Sequence, residues 1–171
     1  MDYRPPDNEI KTNPPTSAVQ PVTSAAMSAP LRDPRLEVFG RLVGTWALMH
    51  RDLQTGEEWA GQDAFSWIDG GRFLAFNHEE HGRVKGLMVI GRETRWGEDS
   101  PSEEILGHWF DSTTGEHFIY IWELLGNTLT FWLEQRGGEF VFTGTISPDN
   151  NSISGQWTWP GGGYTLTMTR S

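Results

Sequence analysis

The chain has 171 residues, a formal charge of −10, no cysteine, and nine Trp and nine Phe against three Tyr. That length supports one domain with a real core. The acidic balance argues against a phosphate-backbone reader or an anionic membrane surface, and the missing thiols exclude disulfides and thiolate metal sites.

No segment has the apolar length of a membrane span, and the opening Met1-Asp2-Tyr3-Arg4-Pro5-Pro6 lacks the apolar core of a secretory signal. The expectation is a soluble cytoplasmic protein with neither nucleic acid nor membrane as partner. Residues 1–30 are rich in Pro, Ser, Thr and Ala, with few large apolar side chains before Leu31. Such a stretch buries too little surface to offset its ordering entropy, which predicts a disordered tail ahead of a single domain over 31–171. Deleting residues 1–26 is therefore expected to leave the melting temperature unchanged, and Met27 is an alternative translation start.

Asp33-Pro34 reads as an N-cap followed by proline at the first helical position. Leu36, Phe39 and Leu42 or Val43 follow at helical spacing, predicting one short amphipathic helix over 33–42. The period then changes to two. Ten strand runs are predicted at 43–53, 57–68, 72–81, 84–92, 104–111, 116–124, 128–135, 139–147, 152–159 and 164–170, separated by Gly-, Asn-, Asp- or Pro-bearing turns and one polar loop over 93–103. The fold class expected is all-β: a closed antiparallel up-and-down β-barrel of about eight to ten strands, with the helix capping its floor. No helical crossover is visible, which excludes a parallel α/β sheet.

Two matching pieces mark the ends of the barrel. Gly44-Thr45-Trp46 opens the first strand and Arg170 closes the last. The glycine admits a tight backbone entry, the indole plugs the floor, and the guanidinium is expected to lie across the indole.

The last strand fixes which face points in. Tyr164, Leu166, Met168 and Arg170 alternate with Thr165, Thr167 and Thr169, so the apolar set faces the interior. Strand eight repeats this with Phe140, Phe142 and Ile146. The same parity sends Trp46, Leu48 and His50 inward from strand one, Trp59, Asp63, Phe65 and Trp67 from strand two, and Leu74, Phe76 and His78 from strand three. Strand five is expected to contribute Leu106, His108 and Phe110, and strand six Phe118, Tyr120 and Trp122. The middle strands carry large residues on both faces, and a bulge would flip their parity.

With 43-VGTW-46, 65-FSWIDGGRFL-74, 89-VIG-91, 109-WFDSTTG-115, 142-FTGTIS-147, 153-ISGQW-157 and the final Thr169-Arg170 in order, residues 36–171 resemble a group of uncharacterised bacterial calycin-type barrels. These are relatives in shape of lipocalins, fatty-acid-binding proteins and nitrobindin-like haem barrels. The resemblance implies a ligand lumen and brings no settled set of catalytic residues. The haem barrels use an axial His late in the chain; no His follows His117 here, so that ligand has no counterpart.

Several chemistries find no support. In 77-NHEEH-81, the odd spacing puts His78 and His81 on opposite faces of a strand, whereas a helical His-Glu-x-x-His places both on one face. That string reads as a polar hairpin end with solvated carboxylates. Neither Gly-x-Ser-x-Gly nor a phosphate-cradling glycine loop between strand and helix is present. No metal and no cofactor is implied.

What remains is a set of polar groups on inward faces amid aromatic walls. A His or Asp there is costly to bury without a partner, and an apolar pocket with a few convergent polar groups is the usual form of a small-molecule site. His108, Tyr120, His78 and Asp63 are the candidates for acid–base chemistry, with Trp59, Phe65, Phe76, Phe110 and Trp122 as ligand-contacting walls. Arg72 is expected at the rim, in a salt bridge or on a carboxylate. The function expected is binding of a small hydrophobic or aromatic molecule in the lumen. The alternative is a cofactor-independent cyclase, isomerase or dehydratase acting on a polyketide-like or other secondary metabolite. A homodimer stays open as the assembly.

Overall fold

A computed structural model describes residues 32–68, 70–80 and 85–171. The tail over 1–30, with Met27, and His81 lie outside the described residues. Asp33 accepts a hydrogen bond from the Arg35 backbone N–H (2.9 Å), and Pro34 stands in the first turn of α1 (Pro34–Glu37), which tightens into a 3₁₀ turn over Val38–Leu42. Ten strands follow: β1 (Gly44–Asp52), β2 (Glu58–Trp67), β3 (Phe73–Glu80), β4 (Lys85–Gly91), β5 (Ile105–Asp111), β6 (His117–Leu125), β7 (Thr128–Leu133), β8 (Val141–Ile146), β9 (Ser152–Trp159) and β10 (Gly162–Arg170). Each pairs antiparallel with its neighbours in sequence, and β10 returns to pair with β1, closing the barrel.

Two turns at the same end use one device. Asp52 and Asp111 each accept two backbone N–H groups through Oδ1, from Gln54 and Thr55 and from Thr113 and Thr114, at 2.7–2.9 Å. Four residues after each aspartate, Gly56 (φ 73°) and Gly115 (φ 77°) take the left-handed backbone that ends the turn.

The seam closes as the sequence implies. The Arg170 guanidinium lies 4.3 Å from the Trp46 ring centroid. It donates to the carbonyls of Val43 (2.6 Å), Arg41 (2.8 Å) and Asn150 (3.1 Å). Trp46 is fully buried and donates its indole N–H to the Leu42 carbonyl at 2.7 Å. Leu36, Phe39 and Leu42 bury completely from the helical segment, so the floor is a continuous apolar plug.

Strand parity follows the expectation in β1, β2, β3, β6 and β10, and departs from it in β5. There Gly107, Trp109 and Asp111 are buried, while Phe110 is 48% exposed and stacks on His117 outside the barrel. The register gives the reason. Trp109 pairs opposite Met88 and Phe118, both inward, and His108 opposite Val89 and Ile119 on the outer surface. His108 and Phe110 are thus not lumen residues, and Leu106 also faces out. Phe140 lies ahead of β8, exposed.

Candidate functional site

Between the floor and the opposite end of the barrel is a cavity of about 540 Å³. Its floor half is apolar, lined by Leu42, Leu129, Phe142, Ile153 and Met168. Most of its polar side chains collect toward the other end, where β1, β3 and β5 finish and β2 and β10 begin: His50, Trp59, His78, Glu80, Asp111 and Tyr164, with Asp63 and Tyr120 deeper.

His78 is the centre of this group. Its Nδ1 lies 2.6 Å from Asp63 Oδ1 and its Nε2 3.4 Å from Glu80 Oε1. The same Glu80 oxygen is 3.3 Å from His50 Nε2. One imidazole is therefore held between two buried carboxylates, with a second imidazole on the far side of one of them. His50 stacks flat on Trp59 at 4.9 Å and meets the Tyr164 ring edge-on at 5.2 Å. All six side chains come from adjacent strands, and the period of two keeps His78 and Glu80 on one face.

The electrostatics follow from burial against pairing. Burial is the largest single influence on His78 and pulls its pKa down, but hydrogen bonds and charge from Asp63 and Glu80 outweigh it and push it up to about 9. Asp63 is raised, chiefly by burial, against the lowering by His78. For Glu80 burial again weighs most and acts upward, yet hydrogen bonds from His78 and the Trp59 indole, with the charges of His50 and His78, leave it lowered. At neutral pH the cluster presents an imidazolium beside an ionised Glu80.

Deeper in the lumen the walls are aromatic. Phe65 stacks on Phe76 at 4.6 Å, and Phe131 stacks on Trp122 at 4.5 Å and on Phe142 at 4.7 Å. Burial pushes Tyr120 up to about 12. Tyr164 is raised by burial first and then by the charges of Glu80, Tyr120 and Asp63.

Of the residues singled out from the sequence, the structure brings Asp63, His78, Tyr120, Trp59, Phe65, Phe76 and Trp122 to one cavity. It sends His108 outside, where its Nε2 meets Glu93 at 3.1 Å and its ring stacks on His117. Arg72 is exposed. Glu80, Trp109 and Tyr164 are cavity residues that the sequence reading did not put forward as site residues. Glu80 was legible: it stands two positions beyond His78. The reading of 77–81 as solvated carboxylates holds for exposed Glu79 and fails for buried Glu80. Among the described residues no group of three or more His, Asp or Glu side chains is arranged to hold a metal ion.

No protein-family model matches the chain, and no curated protein matches it. Seven solved chains match. One of these is described as "Crystal Structure of Rv2717c from M. tuberculosis", with 13% sequence identity and a TM-score of 0.49 over 82% of this chain and 99% of that one. Similarity at that level adds nothing to the assignment of the fold, which rests on the strand pairing above. By that pairing the protein is a closed ten-strand antiparallel barrel with an aromatic lumen.

Proposed function

We propose that this calycin-type barrel binds a small hydrophobic or aromatic molecule in its lumen. One observation carries the reading: a cavity of about 540 Å³, walled by stacked aromatic rings, with most of its ionisable groups gathered toward one end. That volume lies in the range of sites for drug-sized ligands. An apolar ligand body entering it gains roughly 25 cal/mol for each Å² removed from water, and the polar end orients it. Native mass spectrometry of the protein purified from its own organism tests the reading, together with quenching of the lumen tryptophans by aromatic probes. A retained small molecule, or saturable quenching in the micromolar range, is expected. A protein that carries nothing and is quenched by no aromatic probe overturns it.

The ion triad favours a second reading, a cofactor-independent proton-transfer enzyme such as a cyclase, isomerase or dehydratase working on a polyketide-like metabolite. Charged His78 is then the acid and Glu80 the base, because their environments hold the proton on the imidazole. Turnover of a bound compound that His78→Gln abolishes without abolishing binding separates this reading from simple binding. Retained turnover in that variant refutes it.

A further inference from the structure

Two lumen indoles lean across neighbouring strands, over positions that carry no side chain. Trp109 of β5 is buried and lies over Gly86 of β4. A Cβ at Gly86 would overlap Cζ2 and Cη2 of that ring and stand 2.7 Å from its Cε2. Trp122 of β6 lies over Gly107 of β5, where a Cβ would be 2.5 Å from the indole Nε1 and 2.5 Å from Met88 Sδ. Both glycines belong to the inner face. Gly86 pairs with His78 and Asp111, and Gly107 with Ile90 and Tyr120.

Neither glycine takes a positive φ, so the backbone itself does not demand glycine at either place. Inside a strand, glycine costs conformational entropy and gives its neighbours nothing to pack on. What it supplies here is room for a ring against the wall. A side chain at either position would claim the space the indole holds. Met88 is flexible and can turn aside. The indoles are hemmed in: Phe76 and His78 stand beyond Trp109 at 6.1 and 5.9 Å, and Phe131 covers a face of Trp122 at 4.5 Å. The open direction for a displaced ring is the cavity.

Roughly 150 Å³ is enough to hold one benzene in an apolar cavity. With both indoles against the wall the lumen has about 540 Å³, room for a body several rings in size. We infer that Gly86 and Gly107 are the specificity-determining positions of the lumen, and that they set it to take a bulky apolar body the size of three or four fused rings. This rests on the proposed lumen site and names the size class of its ligand.

The test is equilibrium dialysis of the full chain at pH 7 with three alcohols that differ in ring number: 2-naphthalenemethanol, 9-anthracenemethanol and 1-pyrenemethanol. The wild type should bind them in rising order, by about fivefold or more for each added ring as more apolar area leaves water. Gly86→Ala and Gly107→Ala should each weaken 1-pyrenemethanol by about tenfold or more, the contact of one or two rings, and leave 2-naphthalenemethanol within about twofold. Removing the displaced ring should restore the capacity, so Gly86→Ala/Trp109→Leu should bind 1-pyrenemethanol within about threefold of the wild type. If the single variants do not fold by circular dichroism, this double variant decides: folding with 1-pyrenemethanol bound supports the inference, and failure to fold or to bind it overturns the inference. Equal affinity for the three probes, or equal loss of all three in the glycine variants, overturns the inference and leaves the lumen site standing. Failure of all three to bind the wild type removes the site and the inference with it.

Discussion

Replacing Arg170 with alanine tests how the barrel is closed. The guanidinium makes three hydrogen bonds to main-chain carbonyls from two separate segments, Arg41 and Val43 ahead of β1 and Asn150 between β8 and β9, and lies 4.3 Å over the Trp46 ring. The group is only partly buried, so water can reach some of the vacated carbonyls. Each bond is then weighted at about 1 kcal/mol, below the roughly 1.5–3 kcal/mol usual for bonds to charged groups, with about 1 kcal/mol more for the contact with the indole face. The expected loss is about 4 kcal/mol, which for a domain of this size is a fall of roughly 10 °C or more in melting temperature. Arg170→Lys keeps the charge over the ring but not the planar fork, and should lose about half as much. Urea denaturation followed by far-UV circular dichroism measures both, with the slope checked to be unchanged. A loss below about 1 kcal/mol for Arg170→Ala would refute the closure reasoning, because it would mean that strand pairing alone holds the seam.

His78 should titrate near pH 9 by NMR, against an ordinary value of 6.5. Since its folded pKa is raised, its contribution, on the order of 3 kcal/mol, is fully present below about pH 6.5 and fades as pH rises through 9. His78→Gln should flatten that part of the stability profile, and a His78 resonance titrating near 6.5 would contradict the ion triad. Gly155 faces Gly144 across β8 and β9, and a Cβ there would lie 2.5 Å from the Phe142 ring and 2.6 Å from Gly144 Cα. Gly155→Ala should therefore cost about 2 kcal/mol by overpacking, read as a lower urea midpoint; an unchanged midpoint would show that the strands can part there. His108→Ala removes only an outer-surface pair and should leave quenching of the lumen tryptophans by aromatic probes within about twofold of the wild type, as expected for loss of an exposed contact. A larger effect would return β5 to the parity read from its sequence.

The order and number of strands were legible in the sequence because alternation and turn chemistry are local. The threonines of β10, the glycine-ended turns after β1 and β5, and the Asp33-Pro34 helix start each act within a few residues, and the structure keeps all of them, with boundaries shifted by two residues or fewer. The seam was legible for a different reason: a Trp and an Arg at the two ends of a meander meet only if the sheet closes. Half of the polar site was legible too, since Asp63 and His78 sit on strands whose apolar neighbours, Phe65 and Phe76, leave little doubt about the inner face. In β5, Trp109 competes with His108 and Phe110 for the interior, and residue size cannot decide between the two faces. That choice belongs to the register with β4 and β6, which seats Trp109 between Met88 and Phe118. Nor could the sequence place the proton. Glu80 is a charged residue at a strand end, a position ordinarily solvated; closure of the barrel buries it against two imidazoles, and in that low-dielectric setting the pairing between strands sets which group is charged.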